Sequence, residues 1–306
     1  MAMSKQARAI YQNLIDTEYK KPFSELEAFD VLVHSMSVVQ KSRYVVPDFV
    51  EDAVSILETQ ISELARMYTL TPKDGEIRSS KQVLFYHGGA MLINIMDTQW
   101  TLAISLVERL GCTVHMLEYP LAPSYGSNET YEAMSDGYKW VLGRCDSRDM
   151  VVLGDSVGGH LAIASSQMAI QEKLPQPALI IALSPWIDFG DFLPGKAERE
   201  QGDPIIGMVS LHKIPEVWCG NLAQKKTCPP NLQYGPFEGM APVYIQVGST
   251  EVLYVDAVEL KRLVEEAGGS AELEVGEGLW HTYALYPDMP EGEQAVESIA
   301  KYIENA

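Results

Sequence analysis

The stretch Met150–Ala162, MVVLGDSVGGHLA, decides the fold. Four apolar residues, Met150–Leu153, run into Gly154-Asp155-Ser156-Val157-Gly158, and an apolar helical pattern over Gly158–Gln171 follows. A serine between two glycines where a strand turns into a helix is the setting of a nucleophile elbow. The glycines have a physical task in such a turn: it is tight, and a side chain at either position collides with the neighbouring strand or helix. The start of the following helix also puts positive partial charge beside Ser156. The alternative, a glycine-rich phosphate loop, calls for a nearby Lys, and this segment has none.

On both sides of this turn short apolar runs alternate with helical segments. The runs are Gln82–Tyr86, Thr113–Leu117, Met150–Leu153, Ala178–Leu183, Val243–Val247 and Ala271–Val275. The helical patterns are Gln99–Leu110, Tyr131–Leu142, Gly158–Gln171, Ala257–Ala267 and Gln294–Ile303. Buried strands alternating with helices predict a mostly parallel central sheet covered on both faces, an α/β fold. Residues 188–240 break the rhythm with Pro, Gly and charge around one short helix at Leu211–Trp218. An insertion of that size between two strands predicts a lid over a site. Residues 1–70 read as helical, Val54, Ile56, Leu57, Ile61 and Leu64 falling at helical spacing behind Pro47 and Asp48. The expected organisation is an N-terminal helical cap segment over 1–70 and a core over 71–306 that carries the 188–240 insertion.

The chain has 42 acidic and 23 basic residues in 306, a net charge of −19. That balance repels polyanions, which argues against nucleic acid or an anionic membrane as partner. No run reaches the ~18 apolar residues of a membrane span, and MAMSKQARAIYQNLIDTEYK has no apolar signal region. The expectation is a cytoplasmic protein. Cys112, Cys145, Cys219 and Cys228 form no CxxC and no cluster with His, so they read as free thiols rather than metal ligands.

VLFYHGGAML places His87-Gly88-Gly89-Ala90 directly after a strand, with the Ser156 turn some 65 residues on. Acyl transfer needs backbone N–H groups aimed at the developing oxyanion, and small residues leave such groups unshielded. The expected donors are two of Gly88, Gly89 and Ala90, together with the Val157 N–H. His87 reads as a hydrogen-bonder of that loop.

Three histidines follow Ser156 in the chain: His160, His212 and His281. His160 lies four residues along the elbow helix and His212 in the lid. His281, in GEGLWHTY, follows the last strand and is the expected base. The acid is sought after the strand before it, in VYIQVGSTEVLYVDAVEL. Glu251 stands four residues past that strand and has no other task. Asp256 is the alternative, but it has Glu259 three residues on and reads as a helix cap.

These residues together resemble the α/β-hydrolase fold, and within it the hormone-sensitive-lipase-like esterases. HGGA matches that family's HGG-[GA], EYPLAPSY is similar to DYRLAPEH, and GDSVGGHLA to GDSAGG-x-LA. LSPWID, DPII, VYIQVGSTEVLYVDA and GLWHTY follow in the family's order. The resemblance implies a serine carboxylic-ester hydrolase with Ser156, His281 and Glu251 as its triad, no metal or organic cofactor, and a small-molecule ester of a short acid such as acetate. Amide or lactone cleavage, a non-hydrolytic catalyst and a receptor on the same scaffold are the alternatives. Pro120 and Ser124 depart from the family's Arg and Glu, so an ion pair is lost there. MLINIM replaces an aromatic–Val–x–Gly pattern, which alters a wall of the acyl site. Residues 71–81 look too short for the usual first two strands, which predicts a reduced sheet edge. The Ala271–Val275 strand offers an edge through which a homodimer could pair.

Overall fold

The computed structural model describes residues 3–306. Eight strands form one sheet: β1 (Val54–Gln60), β2 (Arg66–Pro72), β3 (Gln82–Tyr86), β4 (Thr113–Glu118), β5 (Met150–Asp155), β6 (Leu179–Leu183), β7 (Val243–Gly248) and β8 (Ala271–Gly276). Their order is β1-β2-β4-β3-β5-β6-β7-β8. β1, β2 and β4 pair antiparallel, and every other pair is parallel. The central strands are apolar throughout because both faces are covered. Val83 and Val151 point into one core with Trp100, Val107 and Val296, while Leu84 and Val152 point into the other with Leu161 and Trp186. Period-two alternation therefore carries apolar residues to two cores instead of to one core and water.

Eleven helices surround the sheet in the described residues. α1 (Lys5–Asp16), α2 (Lys21–Ser24), α3 (Leu26–Val39) and α4 (Asp48–Ala53) precede it. α5 (Asp97–Leu110), α6 (Ser127–Leu142), α7 (Val157–Glu172), α10 (Tyr254–Glu266) and α11 (Pro290–Asn305) are the crossovers and the last helix, and α8 (Lys196–Arg199) and α9 (Met208–Trp218) lie between β6 and β7. Ser4 caps α1 by accepting the Ala7 N–H at 3.0 Å, and its hydroxyl donates to Glu291 of α11 at 2.8 Å. α2 and α3 pack against α9, so the N-terminal helices and the β6–β7 insertion meet over the C-terminal ends of the parallel strands.

One stretch differs from the sequence reading. Residues 54–64 are not helical: Val54–Gln60 pairs with Arg66–Pro72 over seven rungs, from Val54 opposite Pro72 to Gln60 opposite Arg66. The helical N-terminal part therefore ends at Ala53, the sheet begins at Val54, and its first edge has both strands rather than a reduced one. The misreading has a physical cause. β1 is an edge strand with one solvent face, and Leu57 stands 64 % exposed there. Its sparse apolar residues fit a period of 3.6 as well as one of two. What fixes it as a strand lies far along the chain: β2 pairs on its other side with β4, where Arg66 meets Glu118 at 2.8 Å.

Candidate active site

Ser156 sits at the turn from β5 into α7 with φ 57° and ψ −119°. A non-glycine residue holds this left-handed backbone only where the surroundings over-determine it. Here the Ser156 N–H donates to the Leu183 carbonyl at 2.8 Å and its own carbonyl receives the His160 N–H at 3.2 Å. Both flanking glycines are required by close approach. A Cβ on Gly154 would lie 2.0 Å from the Gly158 carbonyl oxygen, and one on Gly158 would lie 1.9 Å from that of Tyr86.

His281 and Glu251 come together from two loops. Glu251 follows β7 and His281 follows β8, and Nδ1 of His281 meets Oε2 of Glu251 at 2.5 Å. The other carboxylate oxygen accepts the Gly248 N–H at 2.7 Å and the Ser184 hydroxyl at 2.8 Å. Ser184 also accepts the Thr282 N–H at 3.0 Å, so one hydroxyl ties the acid to the histidine loop. Burial by itself lowers the His281 pKa. The hydrogen bond and charge of Glu251, joined by the charges of Asp203 and Asp155, outweigh it and hold the imidazole above the usual 6.5.

Ser156, His281, Gly89, Ala90 and Val157 line one cavity of about 630 Å³. Its far walls come from Leu14 and Phe23 of the N-terminal helices, from Ile205, Leu211 and Ile214 of the insertion, and from Trp186 and Leu253. Ile93 and Met96 of the MLINIM segment form part of the wall as well. No Lys or Arg lines it among the described residues.

The loop after β3 departs from one expectation. The Gly88 N–H is taken by Oδ1 of Asp155 at 2.8 Å, so it does not face the cavity as a free donor. Gly89, at φ 116°, and Ala90, at φ 59°, turn the chain after it. A Cβ on Gly89 would lie 2.3 Å from the Ile93 carbonyl oxygen. The Gly89, Ala90 and Val157 N–H groups make no backbone hydrogen bond in the described residues. Asp155 is itself fixed by two hydrogen bonds from the Gln99 amide, at 3.1 and 2.9 Å, and burial pushes its pKa up to about 6. His87 is fully buried, stacked on Tyr119, with Nδ1 2.6 Å from the Gly88 carbonyl oxygen.

The other sequence candidates lie elsewhere. His160 is fully buried among Tyr131, Phe189 and Trp218. Its ring nitrogens meet the Tyr131 hydroxyl at 2.7 Å and the Trp186 carbonyl at 3.0 Å, and burial lowers its pKa to about 3. His212 is on the surface against Asp191. Asp256 is not the helix cap it resembled. Leu253 holds that place, and Asp256 lies inside the first turn of α10. Its Oδ1 accepts the Ile187 and Asp188 N–H groups at 3.0 Å each, and its Oδ2 lies 3.2 Å from Nζ of the buried Lys196. Sequence reasoning missed Ser184, Asp155, Gln99 and Asp203. Ser184, Asp155 and Asp203 had one signal, membership of the stretches LSPWID, GDS and DPII, which carry no chemistry of their own until the chain is folded; Gln99 stood only as the first residue of a helical pattern.

A family model described as alpha/beta hydrolase fold matches residues 83–285. The chain belongs to the α/β-hydrolase fold family. Within this hydrolase family it is similar to an esterase of Acinetobacter venetianus, 26 % identical over 227 residues that cover 73 % of this chain and 75 % of the relative. An acetyl-hydrolase of Streptomyces hygroscopicus is 26 % identical over 231 residues, covering 75 % and 77 %. Among solved structures, an esterase from the bacterial hormone-sensitive lipase family superposes with a TM-score of 0.80 at 23 % identity, covering 100 % of this chain and 99 % of that one. At that identity the likeness shows the fold.

Proposed function

We propose that this hydrolase is a serine carboxylic-ester hydrolase that works through Ser156, His281 and Glu251 and an acyl-enzyme intermediate. The coarser part, a carboxylesterase-type α/β hydrolase, stands on the family match and on the esterase and acetyl-hydrolase relatives. The observation that carries the finer part is the His281–Glu251 hydrogen bond at the wall of the cavity that also exposes Ser156. Glu251 fixes the tautomer with the proton on Nδ1, which leaves Nε2 to take the Ser156 proton as the hydroxyl attacks the carbonyl. The imidazolium then gives that proton to the leaving alkoxide, and a water repeats the sequence to release the acid. The Gly89, Ala90 and Val157 N–H groups are the donors for the oxyanion of each tetrahedral intermediate.

The cavity supports a substrate class. At about 630 Å³ it is in the size range of sites that enclose a drug-sized ligand, far more than an acetyl group fills. Its walls are mostly apolar, include the carboxylate of Asp97 and lack a cationic side chain among the described residues, so an anionic ester would lose hydration without gaining a partner. The substrate is a neutral ester with one short acyl arm and a bulky apolar alcohol. In a series of naphthyl and p-nitrophenyl esters of rising acyl length, run beside Ser156→Ala, kcat/KM is expected to be highest for short acids. An otherwise matched ester bearing a carboxylate should be at least about tenfold poorer. Equal turnover of the neutral and anionic members would remove this substrate reading. The free edge of β8 is the place where a second copy would extend the sheet.

The pH profile follows from His281. The imidazole accepts the Ser156 proton only when neutral, so kcat/KM is expected to fall on the acid side of its pKa. Because the carboxylates around it raise that pKa, the fall should begin above pH 6.5. Rates measured from pH 5 to 9 check this, and a profile flat across pH 6–8 would speak against a histidine base.

A further inference from the structure

We infer that Asp203, in the β6–β7 insertion, is a second carboxylate of the site: a positioning residue that sets the Glu251 loop and supports the charge on His281 without touching it. The inference rests on the Ser156–His281–Glu251 reading. Asp203 is 2 % exposed. Its Oδ1 accepts the Ile205 and Ile206 N–H groups at 2.8 and 3.0 Å, and its Oδ2 accepts the Val252 N–H at 2.9 Å. No Lys, Arg or His pairs with it among the described salt bridges. Three backbone donors and no salt bridge among the described residues hold this carboxyl group.

The bond to Val252 decides its role. Val252 follows Glu251 directly, so holding the 251–252 peptide fixes the direction in which the Glu251 side chain leaves the backbone. A second strut from the same insertion lies beside it, where the Arg199 guanidinium donates to the Ser249 carbonyl at 2.6 Å. The loop that carries the acid is thus held from the insertion as well as from β7. Two hydrogen bonds to Ile205 and Ile206 tie the same carboxylate to the cavity wall. One side chain thus bears on both the position of the wall and the aim of Glu251.

Charge gives the readout that a purely mechanical strut would lack. Three carboxylates act on His281 by charge: Glu251 from the β7 loop, which touches it, and Asp155 from the end of β5 and Asp203 from the insertion, which act at longer range. The Lys20 ammonium, hydrogen-bonded to the Glu200 carbonyl, also feels the Asp203 charge. Each of the three carboxylates favours the imidazolium that forms as Ser156 attacks. Removing the charge of Asp203 therefore weakens both the basicity of His281 and the stabilisation of its charged form.

The test compares Asp203→Asn and Asp203→Ser, which keep an oxygen for the Ile205 N–H but no charge, with Asp203→Glu, which keeps the charge. Fluorophosphonate titration counts functional sites, and kcat and kcat/KM are measured from pH 5 to 9. Asp155 is unchanged in all three, so its own titration near pH 6 is common to the set. The uncharged variants are expected to lower kcat about tenfold per labelled site. Their acid limb should move down by about half a pH unit, the scale of one charge several ångströms away through partly screened surroundings. Asp203→Glu should keep the wild-type limb even where its kcat drops. An unmoved limb in the uncharged variants, or a rise in KM alone, overturns the proposal. So does loss of folded protein in both of them, which would make Asp203 a folding residue. If the wild type itself shows no fluorophosphonate labelling at Ser156 and no acid limb, the triad reading has failed instead.

Discussion

Ser156→Ala is expected to lower kcat on any ester substrate by about 10⁴- to 10⁶-fold while leaving the protein folded. The magnitude follows from how such groups act: once the nucleophile is gone, the base and the acid have no proton to move, and only the oxyanion donors and substrate binding remain. The side chain removed is one hydroxyl at a partly exposed turn whose backbone is held by the Leu183 carbonyl and by flanking glycines. Stability should therefore change little. His281→Ala should cost a similar factor, and the double variant little more than either alone, because the two residues serve one step. A fluorophosphonate should label the wild type once, on the peptide that contains Gly154–Gly159, and should not label Ser156→Ala. A mass shift on any other peptide would place the nucleophile elsewhere.

The second large effect separates two buried carboxylates that lie five residues apart. Glu251→Gln keeps the size of the side chain but removes the charge opposite His281. The amide can turn an N–H donor toward Nδ1, which favours the wrong imidazole tautomer, and the comparable acid-to-amide change in a Ser-His-Asp triad lowers kcat by about 10⁴. Asp256→Asn is expected to do the opposite. Asp256 faces Lys196 and the backbone of residues 187 and 188, not His281. Burial raises its pKa to about 6, and the Lys196 charge works against that rise. Losing its charge leaves Lys196, 2 % exposed, with Asp188 as its remaining anion at 3.2 Å. Breaking a buried pair in this way costs about 3 kcal/mol, or a Tm lower by about 5 °C, while kcat per folded molecule stays within about tenfold. Thermal denaturation and kinetics on both variants decide the assignment. An inactive Asp256→Asn beside an active Glu251→Gln would move the acid by five residues.

Those two variants also show why a local reading of Asp256 fell short. From the sequence, Asp256 with Glu259 three residues on has the spacing of a helix cap, and an Asn there would be nearly neutral. The cap reading uses only neighbours in the chain. The partners that matter, Ile187, Asp188 and Lys196, come from a loop about 60–70 residues earlier and reach Asp256 only when α10 packs under it. A local pattern is silent about an ion pair of that range.

The sequence alone determined the features that depend on short-range geometry. The glycines around Ser156 are required because the backbone passes within about 2 Å of where their Cβ atoms would stand, and that need is visible as a pattern of letters. The central strands, buried on both faces, leave apolar runs that match the observed β3 to β8 to within two residues at either end. Chain order after the nucleophile leaves few candidates for the proposed base, His281, while the proposed acid, Glu251, stood out from Asp256 only through a cap reading that the fold does not keep and through the family resemblance. Tertiary structure decided the rest. β1 is a strand only because β2 carries it onto β4; its own residues suit a helix as well. Gly88 loses its place among the oxyanion donors because Asp155, 67 residues away, takes its N–H. Ser184 reaches the Glu251 carboxylate, and Asp203 the peptide beside it, because loops from separate crossovers converge there. Hydrogen bonds between groups far apart in the chain carry no periodicity and no fixed spacing, so they exist for a reader only once the sheet has brought its loops to one edge.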